Sequence, residues 1–216
     1  MPSFSLTQRD HKILDCLANR VRLLTTDQLS RAFFDGDDRY AKRRSNVLLK
    51  AGLLKVSSLV ARISPPLDHP LYCWRPGMET PNYNHFSVLL RRRWGRQPSR
   101  EASIFILGKN ANNLVGGRYL GRIKNALQIG HDLALSEVFL HYLRVEPELT
   151  RSWFVEDRIN KSTLPSKRGI AIPDAMLVDR SGKPIRAIEL GGVYSVKRLR
   201  TLHQTFSNWG LSYELW

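Results

Sequence analysis

Behind Thr7-Gln8-Arg9-Asp10, a hydroxyl cap with an acid three residues later, the apolar positions Ile13, Leu14 and Leu17 recur at helical spacing. A first helix to about Arg20 follows from that pattern. A second short helix begins at Thr26, turns Leu29 and Phe33 inward, and stops at the Asp35-Gly36-Asp37-Asp38 turn. A third runs from about Asp38 to Lys50, with Val47 and Leu48 inward and Arg39, Lys42, Arg43 and Asn46 on the other side. Ala51-Gly52-Leu53-Leu54 then feeds a strand pattern from Lys55 to Ile63. Pro65-Pro66 marks a tip, and Pro70-Leu-Tyr-Cys-Trp74 is the expected return strand.

Three short helices followed by a two-stranded extension have the order of a winged helix-turn-helix. That order places Arg39, Lys42, Arg43, Arg44 and Asn46 in the major groove of double-stranded DNA, with Arg62 near the wing touching phosphate. The plainer alternative is a basic helix face that is only solvated. Residues 77–130 read as a basic connector. It holds a helix over Asn84–Trp94, the triplet Arg91-Arg92-Arg93, a Gly95-Arg96-Gln97-Pro98 break and a short strand at Ser103–Leu107.

Regularity returns at His131, where Leu133, Leu135, Val138, Phe139 and Leu143 define a helix that carries Glu137 and ends before Pro147. Arg151–Ile159 is a strand candidate rich in aromatic and branched residues. Ile170–Val178 and Ile185–Leu190 are strands joined through Arg180-Ser-Gly-Lys-Pro184. Each places one acid, Asp174 and Glu189, among apolar neighbours, where a buried carboxylate needs a cation, a donor or a metal beside it. A helix from about Val196 to Asn208 and a last strand, Leu211–Trp216, complete an α+β chain.

Composition narrows the chemistry. The 216 residues hold 34 Lys and Arg against 19 Asp and Glu, a net charge of +15. Residues 1–100 alone carry 18 basic and 8 acidic side chains, so the front half is the more basic. Such a surplus calls for an anionic partner. The absence of any run of 18 apolar residues, and a front end without a charged-then-apolar leader, favour a cytoplasmic protein with no membrane insertion. Cys16 and Cys73 are the only cysteines and stand in no paired motif, which removes zinc ribbons and redox pairs and suggests two small buried apolar residues.

Pro173-Asp174, a hairpin, and Glu189 on the next strand resemble the PD-(D/E)XK nuclease-like fold, with Glu137 as the acid from the preceding helix. Joined to a winged helix, the chain resembles the replication-relaxation proteins and MobC-type plasmid mobilisation relaxases, from Leu6-Thr7-x-Arg9-Asp10 to the last strand. The resemblance implies a relaxase, a DNA endonuclease that nicks one strand during conjugation. Asp174, Glu189 and Glu137 would hold Mg²⁺ or Mn²⁺, suited to hard carboxylate oxygens. Single-stranded DNA at the nick, mobilisation or replication accessory proteins and a second copy of the chain are the partners it suggests.

One position departs from that pattern. Gly191 stands two residues after Glu189, where the nuclease motif has lysine. Lys197 at the head of the next helix is the replacement candidate, with Lys183 in the hairpin a weaker one. If neither serves, the fold is left to bind DNA as a regulator or replication accessory. Tyr194 is a candidate nucleophile for a covalent relaxase, yet the histidine cluster such enzymes use for their metal is missing, since the six histidines never come as His-x-His. A restriction-type nuclease that dimerises to cut both strands is a third alternative.

Overall fold

A computed structural model describes residues 5–95, 97–116, 123, 128–159, 164 and 172–216. The fold is mixed α+β and divides into two compact units. The first comprises Met1–Pro65 and Ser99–Arg144, the second Pro66–Pro98 and Val145–Trp216.

In the first unit α1 (Gln8–Asp15) starts on a reciprocal cap: the Asp10 amide donates to the Thr7 hydroxyl at 3.2 Å and the Asp10 carboxylate accepts the Thr7 amide at 2.6 Å. The helix continues through a π-helical stretch, Cys16–Arg20. A two-residue strand β1 (Leu24–Thr25) leads into α2 (Thr26–Phe33), whose cap pairs Thr25 with Gln28 in the same way. The turn to α3 (Asp38–Lys50) needs two left-handed residues, Asp35 at φ 54° and Gly36 at φ 83°, which these residue types tolerate. The next element is β2 (Leu54–Arg62).

The strand that returns against β2 is not Pro70–Trp74. It is Ser99–Leu107, which pairs with β2 antiparallel over nine residues, from Leu54 opposite Leu107 to Arg62 opposite Ser99. The same strand pairs with β1, so the sheet order places it centrally. Residues 108–116 include the short helix Asn112–Val115, and a longer helix, Ile129–Val145, follows. Leu23, Ala61, Ile104, Ile129 and Leu133 form one buried cluster of this unit. Two polar pairs fix the long helix: Arg22 donates to Asp132 at 2.9 Å, and the Ser136 hydroxyl donates to the Leu23 carbonyl at 2.7 Å.

The second unit begins with β3 (Tyr72–Trp74) and α4 (Tyr83–Trp94). In chain order the first unit's returning strand is therefore β4 (Ser99–Leu107), and its last helices are α5 (Asn112–Val115) and α6 (Ile129–Val145). Then come β5 (Trp153–Val155), β6 (Ala175–Val178), β7 (Pro184–Glu189), α7 (Val196–Asn208) and β8 (Ser212–Leu215). The sheet order is β3-β8-β7-β6-β5; β7 and β8 run parallel, joined by α7, and the other pairs are antiparallel. Trp74, Met176, Ala187, Leu202, Phe206 and Tyr213 share its core. The carbonyl of Trp216 accepts the Trp94 indole N–H at 3.0 Å, pinning the chain end to α4.

The division thus differs from one at residues 76 and 130. Much of the expected connector is structured: α4 belongs to the second unit, while β4 completes the sheet of the first; β3, expected in the first domain, also belongs to the second unit. The Arg151–Ile159 strand shortens to three residues because 3₁₀ turns occupy Pro147–Ser152 and Glu156–Arg158. The expected strand from Ile170 begins at Ala175, with residues 170 and 171 outside the described part. Cys16 is buried as expected, but Cys73 is exposed, since it lies on the edge strand β3. No helix among the described residues is long and apolar enough to cross a membrane.

Candidate nucleic-acid interface and acid pair

Helix α3 buries Ala41, Ser45 and Leu48 and exposes Arg39, Lys42, Arg43, Asn46 and Lys50. Positions 39, 42, 43, 46 and 50 are one helical face, so one residue set holds the helix and the other stays in solvent. Two further residues shape this face. Arg43 lies over the Tyr40 ring at 5.1 Å from its centre, and Arg9 of α1 reaches the same ring at 5.6 Å and the Phe34 ring at 5.1 Å. Guanidiniums parked on aromatic faces are held in place while their N–H groups stay available. Arg62 is exposed at the end of β2.

Arg44 does not belong to this face. Its guanidinium grips Asp10 through two nitrogens, Nε to Oδ1 at 2.9 Å and Nη2 to Oδ2, and Nη2 also donates to the Ser5 carbonyl at 2.9 Å. Asp10 is fully buried at 0% exposure. Burial alone would raise its carboxyl; the Arg44 hydrogen bonds and the Thr7 donors outweigh it and hold the group below the ordinary carboxylate range. Arg44 is therefore a structural clamp between α1 and α3, and the expected groove contact is withdrawn.

The acids expected to act together fall in different units. Glu137, on α6 of the first unit, is buried and accepts from the Gln28 amide at 2.9 Å and from Arg31 at 2.6 Å. Asp174 and Glu189 belong to the second unit, at the facing ends of β6 and β7, one residue beyond the pair Ala175 and Ile188. Asp174 accepts the Leu190 amide N–H at 2.7 Å. Glu189 is 1% exposed, and its Oε1 accepts the Tyr194 hydroxyl at 2.8 Å with Arg198 Nη2 at 3.7 Å. Burial, and then the charges of Glu189 and Asp174, push the Tyr194 phenol well above the usual tyrosine range. Glu189 holds that hydroxyl directly, while Asp174 holds the Leu190 amide. That hydroxyl stays protonated and donating, a poor state for a nucleophile.

Gly191 explains the missing lysine. A Cβ at this position would lie 2.3 Å from Leu90 Cδ2 and 3.0 Å from Leu215 Cδ1, and Leu90 itself is completely buried. The motif position thus faces packed side chains of α4 and β8, where no longer side chain fits. Gly191→Ala is expected to cost about 1–3 kcal/mol by overpacking, and Gly191→Lys more. The tryptophan fluorescence unfolding curve of the second unit, which contains Trp94 and Trp216, measures both; an unchanged midpoint contradicts the packing account. Lys197 and Lys183 are exposed, Lys197 in the first turn of α7 and Lys183 in the hairpin that Asp179 caps through the Lys183 and Ser181 amides.

Two carboxylates are the hard donor type that Mg²⁺ or Mn²⁺ takes, with water or phosphate completing the shell. One oxygen of each acid already accepts a protein donor, Glu137 lies in the other unit, and among the described residues no group of three or more His, Cys, Asp or Glu stands ready for an ion. The sequence reading passed over Arg198, Arg9 and Tyr40. Arg198 is one helical position beyond Lys197, and only the helix phase separates the side chain that meets Glu189 from the one that does not. No family model, curated protein or solved structure matches this chain.

Proposed function

We propose that the protein binds double-stranded DNA through its first unit, with α3 lying in the major groove and the β2–β4 pair as the wing. The observation that carries this is the division of α3 into one buried and one exposed face, the exposed one holding Arg39, Lys42, Arg43 and Asn46, with Asp38 at the helix start as its one acid. The order β1-β4-β2 after three helices supports the winged-helix assignment, the wing hairpin being interrupted by residues of the second unit. Arg43 and Lys42 would read guanine edges, Asn46 adenine, and Arg62 phosphate. The test is enrichment of a preferred duplex from a random pool. A consensus that Arg43→Ala relaxes at one base pair supports base reading, and recovery of no consensus contradicts it.

A second reading, favoured by the placement of Asp174 and Glu189 at the facing ends of β6 and β7 with Tyr194 donating to Glu189, makes the second unit a metal-dependent nickase of the relaxase kind. In that reading Asp174 and Glu189 would hold Mg²⁺ or Mn²⁺, which would supply Lewis acidity toward a phosphoryl oxygen. The Tyr194 hydroxyl would hold Glu189 Oε1 in place, with Arg198 Nη2 3.7 Å from the same oxygen. Supercoiled plasmid incubated with Mn²⁺ separates the readings. Nicked circles that disappear in both Asp174→Ala and Glu189→Ala support the nickase; plasmid that stays supercoiled under saturating protein leaves the chain a binding protein.

A further inference from the structure

Helices α4 and α7 of the second unit contain no aspartate or glutamate. They contact one another and run in opposite directions: Tyr83 of α4 lies beside His203 of α7, the Ser87 hydroxyl donates to the Tyr194 carbonyl at 2.8 Å, and Leu90 covers Gly191. The last turn of α4, with Arg91 and Arg92, therefore lies at the end of the layer where α7 starts with Lys197 and Arg198, while Arg200, a turn further on, reaches Tyr83 at the start of α4. All five are exposed.

Some other arginines of this unit face acids, as the exposed Arg151 faces Glu148 at 3.7 Å and the half-buried Arg186 faces Glu214 at 2.9 Å. Among the described residues Arg91, Arg92, Lys197 and Arg200 take part in no such ion pair, and Arg198 has only its longer contact to Glu189. Two of the five are also pre-positioned. Arg198 lies over the Tyr194 ring at 5.5 Å and Arg200 over the Tyr83 ring at 5.8 Å. A stacked guanidinium keeps its planar fork oriented, the shape that matches a phosphate through two hydrogen bonds. Like charges gathered on two rigid helices, without neutralising acids, create a positive potential that an evenly spaced polyanion satisfies.

We infer that the α4–α7 layer is a second nucleic-acid-binding surface, which grips the phosphate backbone of duplex DNA without reading its sequence. It rests on the reading of the chain as a DNA-binding protein, but it uses residues that the α3 interface does not. A protein with two such surfaces holds DNA beside its recognition site as well as at it. Among the described residues the exposed side of α4 and α7 shows Val88 as its one large apolar residue, short of the row that a helix uses to enter a lipid surface, which favours DNA over a membrane.

The experiment compares the full chain with two variants on a 30-base-pair duplex pool of random sequence, reading affinity against salt. One variant combines Arg91→Ala, Arg92→Ala, Lys197→Ala and Arg200→Gln; the other combines Arg39→Ala, Lys42→Ala and Arg43→Ala. Each phosphate contact removed lowers the salt slope by about 0.9, so the α4–α7 variant is expected to lose roughly three to four units of slope. Amine acylation of Lys197 in the unaltered protein supplies an independent readout, and duplex DNA is expected to protect it. A slope equal to that of the unaltered protein, with Lys197 still acylated, overturns the inference even if the α3 variant is impaired. Binding to anionic vesicles without binding to duplex overturns it in favour of a membrane. If the unaltered protein binds no duplex at all, the DNA reading itself falls as well.

Discussion

Replacing Arg39, Lys42 and Arg43 together by alanine is expected to abolish preference for the enriched duplex, reducing its affinity by two or more orders of magnitude while the fold stays intact. The magnitude follows from about 1–3 kcal/mol of discrimination for each bidentate base contact. The fold survives because these side chains are all exposed and α3 is held by Ala41, Ser45 and Leu48 on its other side. Binding to random DNA is expected to fall less, since it depends on the number of phosphates neutralised. Competition of selected against random duplex, measured at two salt concentrations, checks the split. Equal losses on both duplexes would reduce α3 to a backbone contact.

Arg44→Ala is expected to act on stability, with a cost of about 3 kcal/mol or more, the range for removing one partner of a buried ion pair. Asp10 then remains buried with only the Thr7 donors. Because the Asp10 carboxyl sits below its ordinary value in the folded protein, it contributes stability above the unfolded-state pKa of about 3.9. That contribution is lost as pH falls through the lower folded value. The unaltered first unit is thus expected to lose stability in acid below about pH 4, and the Arg44→Ala protein to show a smaller acid-dependent loss. Denaturant titrations at pH 3 and pH 7 measure both effects. Parallel pH profiles in the two proteins would show that Asp10 and Arg44 are not coupled.

Much of the helical framework is readable from the sequence because its signals are local. Thr7 and Asp10, Asp37 and the apolar phase of α3, and Ser195 before α7 each fix an element within one or two turns. Strand partners are not local. Ser103–Leu107 reads as a strand, but nothing in those residues says that it pairs with Leu54–Arg62, some forty residues earlier, rather than leaving that role to Tyr72–Trp74. The alternation in both segments is equally suited to either sheet.

The candidate site shows the same limit. Ala41, Arg44, Ser45 and Leu48 share one helical face, so the phase of α3 already sets Arg44 apart from Arg39 and Arg43. What the phase does not contain is the buried partner, Asp10, on another helix. Asp174 and Glu189 are legible as acids on adjacent strands, and the hydrogen bond of Tyr194 to Glu189 depends on the turn through Gly191-Gly192, whose path is set by Leu90 on a distant helix.

The most direct test of α3 as the reading element is methylation interference on the duplex enriched from the random pool, comparing the unaltered protein with Arg43→Ala. Methylation at guanine N7 blocks the major-groove acceptor that an arginine fork uses. The account predicts interference at specific guanines, with sensitivity at one of them disappearing in Arg43→Ala. Interference that is absent, or that stays the same in the variant, would contradict it.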